Sequence, residues 1–397
     1  MNILVVNCGS SSVKVQLFDM NSKKSLAKII VEEIKGNSKA KIEVFGGKEV
    51  VQKPFSSHED ALNFIFSELI EKKVISSLDE ITAIGHRVVH GGEKFSSAVI
   101  IDDMVMQGII DCVSLAPLHN PANIEGINAC KKLLPNKPNV AVFDTAFHQT
   151  MPKEAFLYAI PYEYYEKYKI RKYGFHGSSH KFVSLRAAEL IGDPINDLNI
   201  ITCHLGNGSS ITAIKNGVSY NTTMGLTPLA GLMMGTRSGD IDPAIIPFLM
   251  KKENLSAEKV EEILNKKSGL LGLSGVSSDC REIEDAAWNK GNQRAKIALD
   301  KLSFRIKECL GAYLALLPGI DAIVFTGGLG ENSPETREFV CSNLEHLGIV
   351  IDKEKNKFKG QEREISSDKS KIKVFVIPTN EELMIAKETE QVVKKIL

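Results

Sequence analysis

Apolar and polar positions alternate from the start of the chain. The run Asn2–Val6 and the β-branched stretch Val13–Phe18 predict two strands joined by a polar turn at Asn7–Ser12. A hairpin is predicted over Lys41–Val51, turning at Gly46-Gly47. Over Ser57–Lys72 the period changes to that of a helix, with Leu62, Ile65, Phe66 and Leu69 on one face. A strand follows at Ile81–Val89, a helix at Asn120–Leu134 and a short apolar strand at Asn139–Phe143. Strands and helices then alternate to a last helix, Glu381–Ile396, which is the pattern of an α/β protein.

One stretch of this pattern occurs twice. ILVVNCGSSSVKV from Ile3 and ITCHLGNGSSITA from Ile201 both read as strand, small polar turn, Ser-Ser, strand. A spacing near half the chain predicts duplicated domains, each opening with a β-turn-β that presents a polar loop. A third loop of the same character lies in AIVFTGGLGEN, Ala322–Asn332. Here an apolar strand runs into Gly327-Gly328-Leu329-Gly330, and a helix is predicted to start near Glu331.

Composition narrows the function classes. At 397 residues the chain is long enough for two domains, and 43% hydrophobic with 25% charged residues is ordinary for a soluble globular protein. Forty-nine basic residues balance forty-nine acidic ones without a basic stripe, which argues against nucleic-acid and membrane-surface partners. Seven scattered cysteines without a CxxC pair suit a reducing compartment. The opening residues lack a basic leader, and the longest charge-free run, Asn216–Thr236, is broken by Asn, Thr, Pro and Gly. A cytoplasmic protein without a membrane span is therefore expected.

Neither GxxxxGK[ST] nor GxGxxG occurs, which excludes a P-loop and a standard dinucleotide fingerprint. Asn7–Lys14, His204–Ser210 and Gly327–Glu331 remain as phosphate-binding turns, each following an apolar strand. Arg87 in GHRVVHGG and Arg237 in MMGTRSGDIDP are glycine-flanked forks suited to carboxylate or phosphoryl oxygens. His176 and His180 have helical i,i+4 spacing, but HGSSH lacks an intervening Glu and reads as a helix entry more readily than a zinc site. Asp144, in VFDTAFH, stands at a strand end, where a carboxylate can orient other groups or cap a turn. Glu381 and Glu382 open a helix, where acidic residues are expected for the dipole alone.

NCGSSSVK, GHRVVHGGE, FDTAFHQTMP, YGFHGSSH, HLGNGSS, MGLTPLAGLMMGTRSGDIDP, GGLGENS and TNEE resemble, in order and over nearly the whole chain, the signature segments of the acetate kinase family. That family shares its fold with sugar kinases, Hsp70 and actin. The resemblance implies two duplicated α/β domains with a nucleotide cleft between them. Residues 1–148, joined by the C-terminal helix 382–397, would form one domain, and 149–381 the nucleotide-binding one. It implies transfer of the ATP γ-phosphoryl to acetate with Mg²⁺, Mn²⁺ being an alternative, and a homodimer.

Carried over by position, the resemblance gives Asn7 and Glu381 to the metal, and Ser10, Ser12 and Lys14 to the phosphates. ATP would be held by His204, Leu205, Gly206, Asn207 and Gly208, by Asp279, Cys280 and Arg281, and by Gly327, Gly328, Leu329, Gly330 and Glu331. Arg87 and Arg237 would grip acetate and the transferring phosphoryl, with His176 stabilising its charge. Val89, Leu118 and Pro228 would surround the methyl group. Asp144 would orient rather than act as a base, because acetate is already ionised at pH 7. Two alternatives share the motifs or the fold: a propionate kinase, and a non-catalytic ATP-dependent conformational switch.

Overall fold

The computed structural model describes residues 1–396. The chain divides into two compact units, Met1–Gln149 with Asn380–Leu397, and Thr150–Thr379. No helix among the described residues is long and apolar enough to cross a membrane.

The first unit is built on strands β1 (Asn2–Gly9), β2 (Ser12–Asp19), β3 (Lys24–Glu32), β4 (Lys39–Val44), β5 (Gly47–Gln52), β6 (Ile81–Val88), β7 (Val99–Ile100) and β8 (Asn139–Phe143), in the order β5-β4-β3-β2-β1-β6-β8-β7. β1 is buried on both faces, which is why its sequence is a continuous apolar run. Leu4, Val6 and Cys8 pack with Leu62, Ile65, Phe66 and Leu69 of the helix His58–Glu71 and with Ala129 and Cys130 of the helix Asn120–Leu133. Ile3 and Val5 pack on the opposite side with Ile385, Ala386 and Val393 of the helix Glu381–Val393.

The second unit carries β9 (Asn199–Leu205), β10 (Ser209–Lys215), β11 (Val218–Thr222), β12 (Ala322–Thr326), β13 (Arg363–Glu364) and β14 (Lys373–Val376), in the order β11-β10-β9-β12-β14-β13. Alternation along β9 again serves two layers. Ile201, Cys203 and Leu205 join the core under the long helix Gln293–Leu316. Thr202 and His204 instead bond to His180 and Ser179 of the helix Gly177–Ile191.

The duplication is visible in topology. In each unit an antiparallel trio (β3-β2-β1, β11-β10-β9) continues into two parallel strands (β6 and β8, β12 and β14). The register is not duplicated: Ser11 lies in the first turn, while Ser209 is already paired with Leu205.

Most predicted elements differ in extent by a residue or two, and three differ by more. The turn expected over Asn7–Ser12 shrinks to Ser10-Ser11, because the ladder runs on and pairs Asn7 with Lys14 and Gly9 with Ser12. The helix expected to begin near Glu331 begins at Gly327, so the glycines form its first turn. The last helix ends at Val393 instead of Ile396.

Candidate active site

In both units the signature residues gather where the parallel strands end, the edge at which open α/β sheets bind ligands. In the first unit β6 and β8 lie side by side, so Arg87 near the end of one strand reaches Asp144 just past the other. Two parallel hydrogen bonds join them, Nε to Oδ1 at 3.0 Å and Nη2 to Oδ2 at 2.6 Å. Asp144 and the neighbouring Glu381 and Glu382 hold the Arg87 guanidinium well above its usual range against the opposing effect of burial. Asn7 and Lys14 face each other across the β1–β2 hairpin, and Lys14 makes an ion pair with Glu382 at 3.5 Å.

Glu381 differs from these paired groups. Its Oε1 is a buried oxygen without a hydrogen-bond partner among the described residues. Burial pushes its carboxyl up to about 7, with Asp144 and Glu382 adding to the rise and Arg87 and Lys14 opposing it. A desolvated carboxylate oxygen next to two other acids fits a cation in contact with Glu381.

The loop following β6 is pinned by two asparagines that the motif reading passed over. Asn123 accepts from Val89 N at 3.0 Å and donates to Cys8 O at 2.9 Å, and Asn120 accepts from His90 N at 3.1 Å. Val89 is thereby buried and fixed, whereas Leu118 is 64% exposed. The repeat of Asn at i and i+3 in NPANIEG was the available signal.

In the second unit, His176 takes a left-handed backbone conformation (φ 58°) at the head of its helix. Its Nδ1 lies 2.9 Å from Ser210 Oγ, and its ring stacks on His204 with centroids 4.3 Å apart. Ser210 also meets His180 Nε2 at 2.7 Å, while His180 Nδ1 meets Thr202. Both ring nitrogens of His180 are thus engaged by hydroxyls, which explains HGSSH without a metal.

Gly208 ties this histidine to the second arginine. A Cβ on Gly208 would sit 3.2 Å from His176 Nε2 and 3.6 Å from Arg237 Nη1, so the space between them exists only because residue 208 is glycine. Arg237 is bonded to Pro228 O at 3.3 Å and lies 3.7 Å from Met234 Sδ, and it has no carboxylate partner among the described residues. Burial alone lowers its pKa. A desolvated guanidinium without a counter-ion is a site prepared for an anion.

A cavity of about 510 Å³ in this unit is lined by Gly206, Asn207, Gly328 and Leu329, and by Asp279, Cys280 and Arg281. Asp279 forks onto Arg281, with Oδ2 2.6 Å from Nη2. Glu284, Asn332, Ser333 and Lys359 also line the cavity and were not singled out from sequence. Asn332 closes the GGLGEN motif and was legible there, but Lys359 lies in a loop without a pattern.

Leu205 has a different place, with its side chain wholly in the core. Glu331 also departs from the expected ATP contact. Its Oε1 accepts from Gly327 N at 2.9 Å and from Thr379 N at 3.2 Å, so it clamps the glycine turn to the end of β14. Ser10 is exposed at the tip of the first hairpin, and Ser12 is half-buried.

Comparison with known proteins bears on this arrangement. The model of the Acetokinase family matches residues 2–387. The acetate kinase of Caldanaerobacter subterraneus subsp. tengcongensis is 58% identical over 400 residues, covering all of both chains, and that of Dictyoglomus thermophilum is likewise 58% identical over its full length. Among solved structures, Porphyromonas gingivalis acetate kinase superposes with a TM-score of 0.95 at 50% identity, covering 99% of each chain. A propionate kinase from Francisella tularensis superposes with a TM-score of 0.93 at 46% identity, over 98% of this chain and 99% of its own. The chain belongs to the acetokinase family.

Proposed function

We propose that this protein transfers the γ-phosphoryl of ATP to acetate, giving acetyl phosphate and ADP, and catalyses the reverse reaction. The observation that carries the reading is the half-buried Arg237, without a carboxylate partner among the described residues, next to His176 across Gly208. Family membership supplies the acceptor.

In the forward direction an acetate oxygen attacks the γ-phosphorus, the new O–P bond forms, and the bond to ADP breaks with its electron pair leaving on ADP. Acetate is ionised at neutral pH, so no proton has to be moved. Catalysis then consists of positioning and charge neutralisation. Arg237 and His176 meet the equatorial oxygens of the transferring group. Arg87, held rigid by Asp144, takes the acetate carboxylate, and Val89, Leu118 and Pro228 shape the methyl subsite. The cavity lined by Gly206, Asp279 and Gly328 takes the nucleotide, and Ser10, Ser12 and Lys14 act on its phosphates. Mg²⁺, held through Asn7 and the orphaned Oε1 of Glu381, supplies charge neutralisation on the polyphosphate when bound. Mn²⁺ suits the same oxygen donors.

The reading includes a homodimer and a cytoplasmic location. Resemblance supports the homodimer and the seven scattered cysteines the cytoplasmic location, and light scattering and cell fractionation test them.

Trapping the acyl phosphate as its hydroxamate, with formate, acetate, propionate and butyrate compared, tests the activity directly. Product should form with acetate above all, with less from propionate. ATP consumption without hydroxamate from any acid would overturn the reading in favour of a switch module.

A further inference from the structure

Arg237 has weak direct holds on its side chain, so its position depends on the loop that carries it. That loop, residues 231–240, is closed at its neck by one residue. Asp240 Oδ1 accepts from Gly231 N at 2.8 Å, and Asp240 N donates to Gly231 O at 3.0 Å. Inside the ring, Met234 N donates to Arg237 O at 3.0 Å, forming a tight turn at its tip. The floor is the segment 268–271. Ser268, Leu270 and Leu271 donate to the carbonyls of Thr236, Met234 and Gly235, and the approach is so close that a Cβ on Gly269 would lie 2.1 Å from Met234 O.

The tip is therefore fixed from below, while the neck has Leu232 in the core, Gly231 and Gly239 buried, and Asp240 exposed. It borders a cavity of about 610 Å³, whose wall includes Gly231, Asp240, Lys301 and Arg305. Arg305, projecting from the helix Gln293–Leu316, binds the second Asp240 oxygen at 2.5 Å and lies 3.6 Å from Glu308 on its own helix. One carboxylate thus ties the two ends of the loop with one oxygen and anchors the loop to a rigid helix with the other.

We propose that Asp240 is a positioning residue for Arg237, with Arg305 holding Asp240 in place. This rests on the role given to Arg237 above. Misplacing a reacting group by about 1 Å can cost about 10²-fold in rate while leaving remote binding contacts intact.

The test compares Asp240→Ala, Asp240→Asn and Arg237→Ala with the Asp240→Ala/Arg237→Ala double variant, by steady-state kinetics and thermal unfolding. Asp240→Ala should lower kcat about 10²-fold and leave the KM for ATP within about threefold. Asp240→Asn keeps an acceptor for Gly231 and should lose less than about fivefold. The double variant should be within about twofold of Arg237→Ala alone, because two residues acting through one group are not additive. Should Asp240→Ala unfold early, Arg305→Leu in the same two backgrounds reads the same coupling. It should cost about tenfold beside Arg237 and nothing measurable in the Arg237→Ala background. Wild-type kcat in Asp240→Ala, or the same factor lost in both backgrounds, overturns the positioning role alone. An Arg237→Ala enzyme keeping more than about a tenth of kcat overturns the assignment of Arg237, and this inference with it.

Discussion

Arg87 and Asp144 meet fork to fork, with both carboxylate oxygens occupied by guanidinium N–H groups at 3.0 and 2.6 Å. A carboxylate so engaged is poorly placed to take a proton from a third group, and acetate has none to give. Asp144→Asn breaks the pairing, because the amide turns a donor toward a donor. It should lower kcat and destabilise the first unit by about 3 kcal/mol, the scale for a broken buried pair. The pH dependence of kcat should keep its limbs. Loss of a basic limb in the variant would restore a proton-accepting role to Asp144.

Gly208 gives a sharper probe of the other half of the constellation. Gly208→Ala introduces a methyl group 3.2 Å from His176 Nε2 and 3.6 Å from Arg237 Nη1. The variant should fold, melt close to wild type and lose about 10²-fold in kcat, since the methyl occupies the space between the two groups proposed to act on one phosphoryl. Unchanged single-turnover rates would show that this space is not used.

On the proposed reading, acyl-chain selection turns on Val89, whose backbone is fixed by Asn123 at 3.0 Å and whose side chain is buried. Discrimination over one methylene is worth about 1–3 kcal/mol. Acetate should therefore be preferred, propionate used measurably and butyrate used poorly. Val89→Ala should lower the KM for propionate and raise that for acetate. An unchanged ratio of kcat/KM for the two acids would remove Val89 as the determinant.

His86 links stability to pH. It lies buried beside the arginine, with Nε2 2.7 Å from Asn139 Oδ1. Burial depresses its pKa to about 4, assisted by Lys131 and opposed by the bond to Asn139. The folded pKa lies below the unfolded value of about 6.5, so the contribution is whole above that pH and is lost as pH falls toward 4. About 3 kcal/mol is involved. His86→Gln should flatten the fall in urea midpoint between pH 7 and 4, and an identical slope in both proteins would rule this group out.

Much of this was legible in the sequence where one force dominates. The helix His58–Glu71 follows from its apolar stripe and from Ser57, which caps it through Asp60 N. β8 follows from the four apolar residues after Asn139, and all five of its positions are buried. Residue types with distinctive chemistry, such as Arg87, Asp144, His176 and Arg237, also announced themselves. What did not show was anything set by pairing across the fold. The Asn7–Lys14 ladder shortened a turn that looked longer by composition. Glu331, which reads as a ligand-facing acid, turns back onto Gly327 and Thr379. Asn123 looks like an ordinary helix residue until its two bonds to distant backbone are seen.

The helix Glu381–Val393 belongs to the unit that begins at Met1, yet it follows the whole of the second unit in the chain. During synthesis, the sheet of the first unit therefore leaves the ribosome with Ile3, Val5, Ala83 and Val142 lacking Ile385, Ala386 and Val393, the residues that cover them in the finished molecule. Folding of the two units is consequently not vectorial. The second can close as soon as Thr379 has emerged, whereas the first, although made earlier, is sealed last. A released chain ending at Thr379 would keep a complete second unit and a first unit with one apolar face still open.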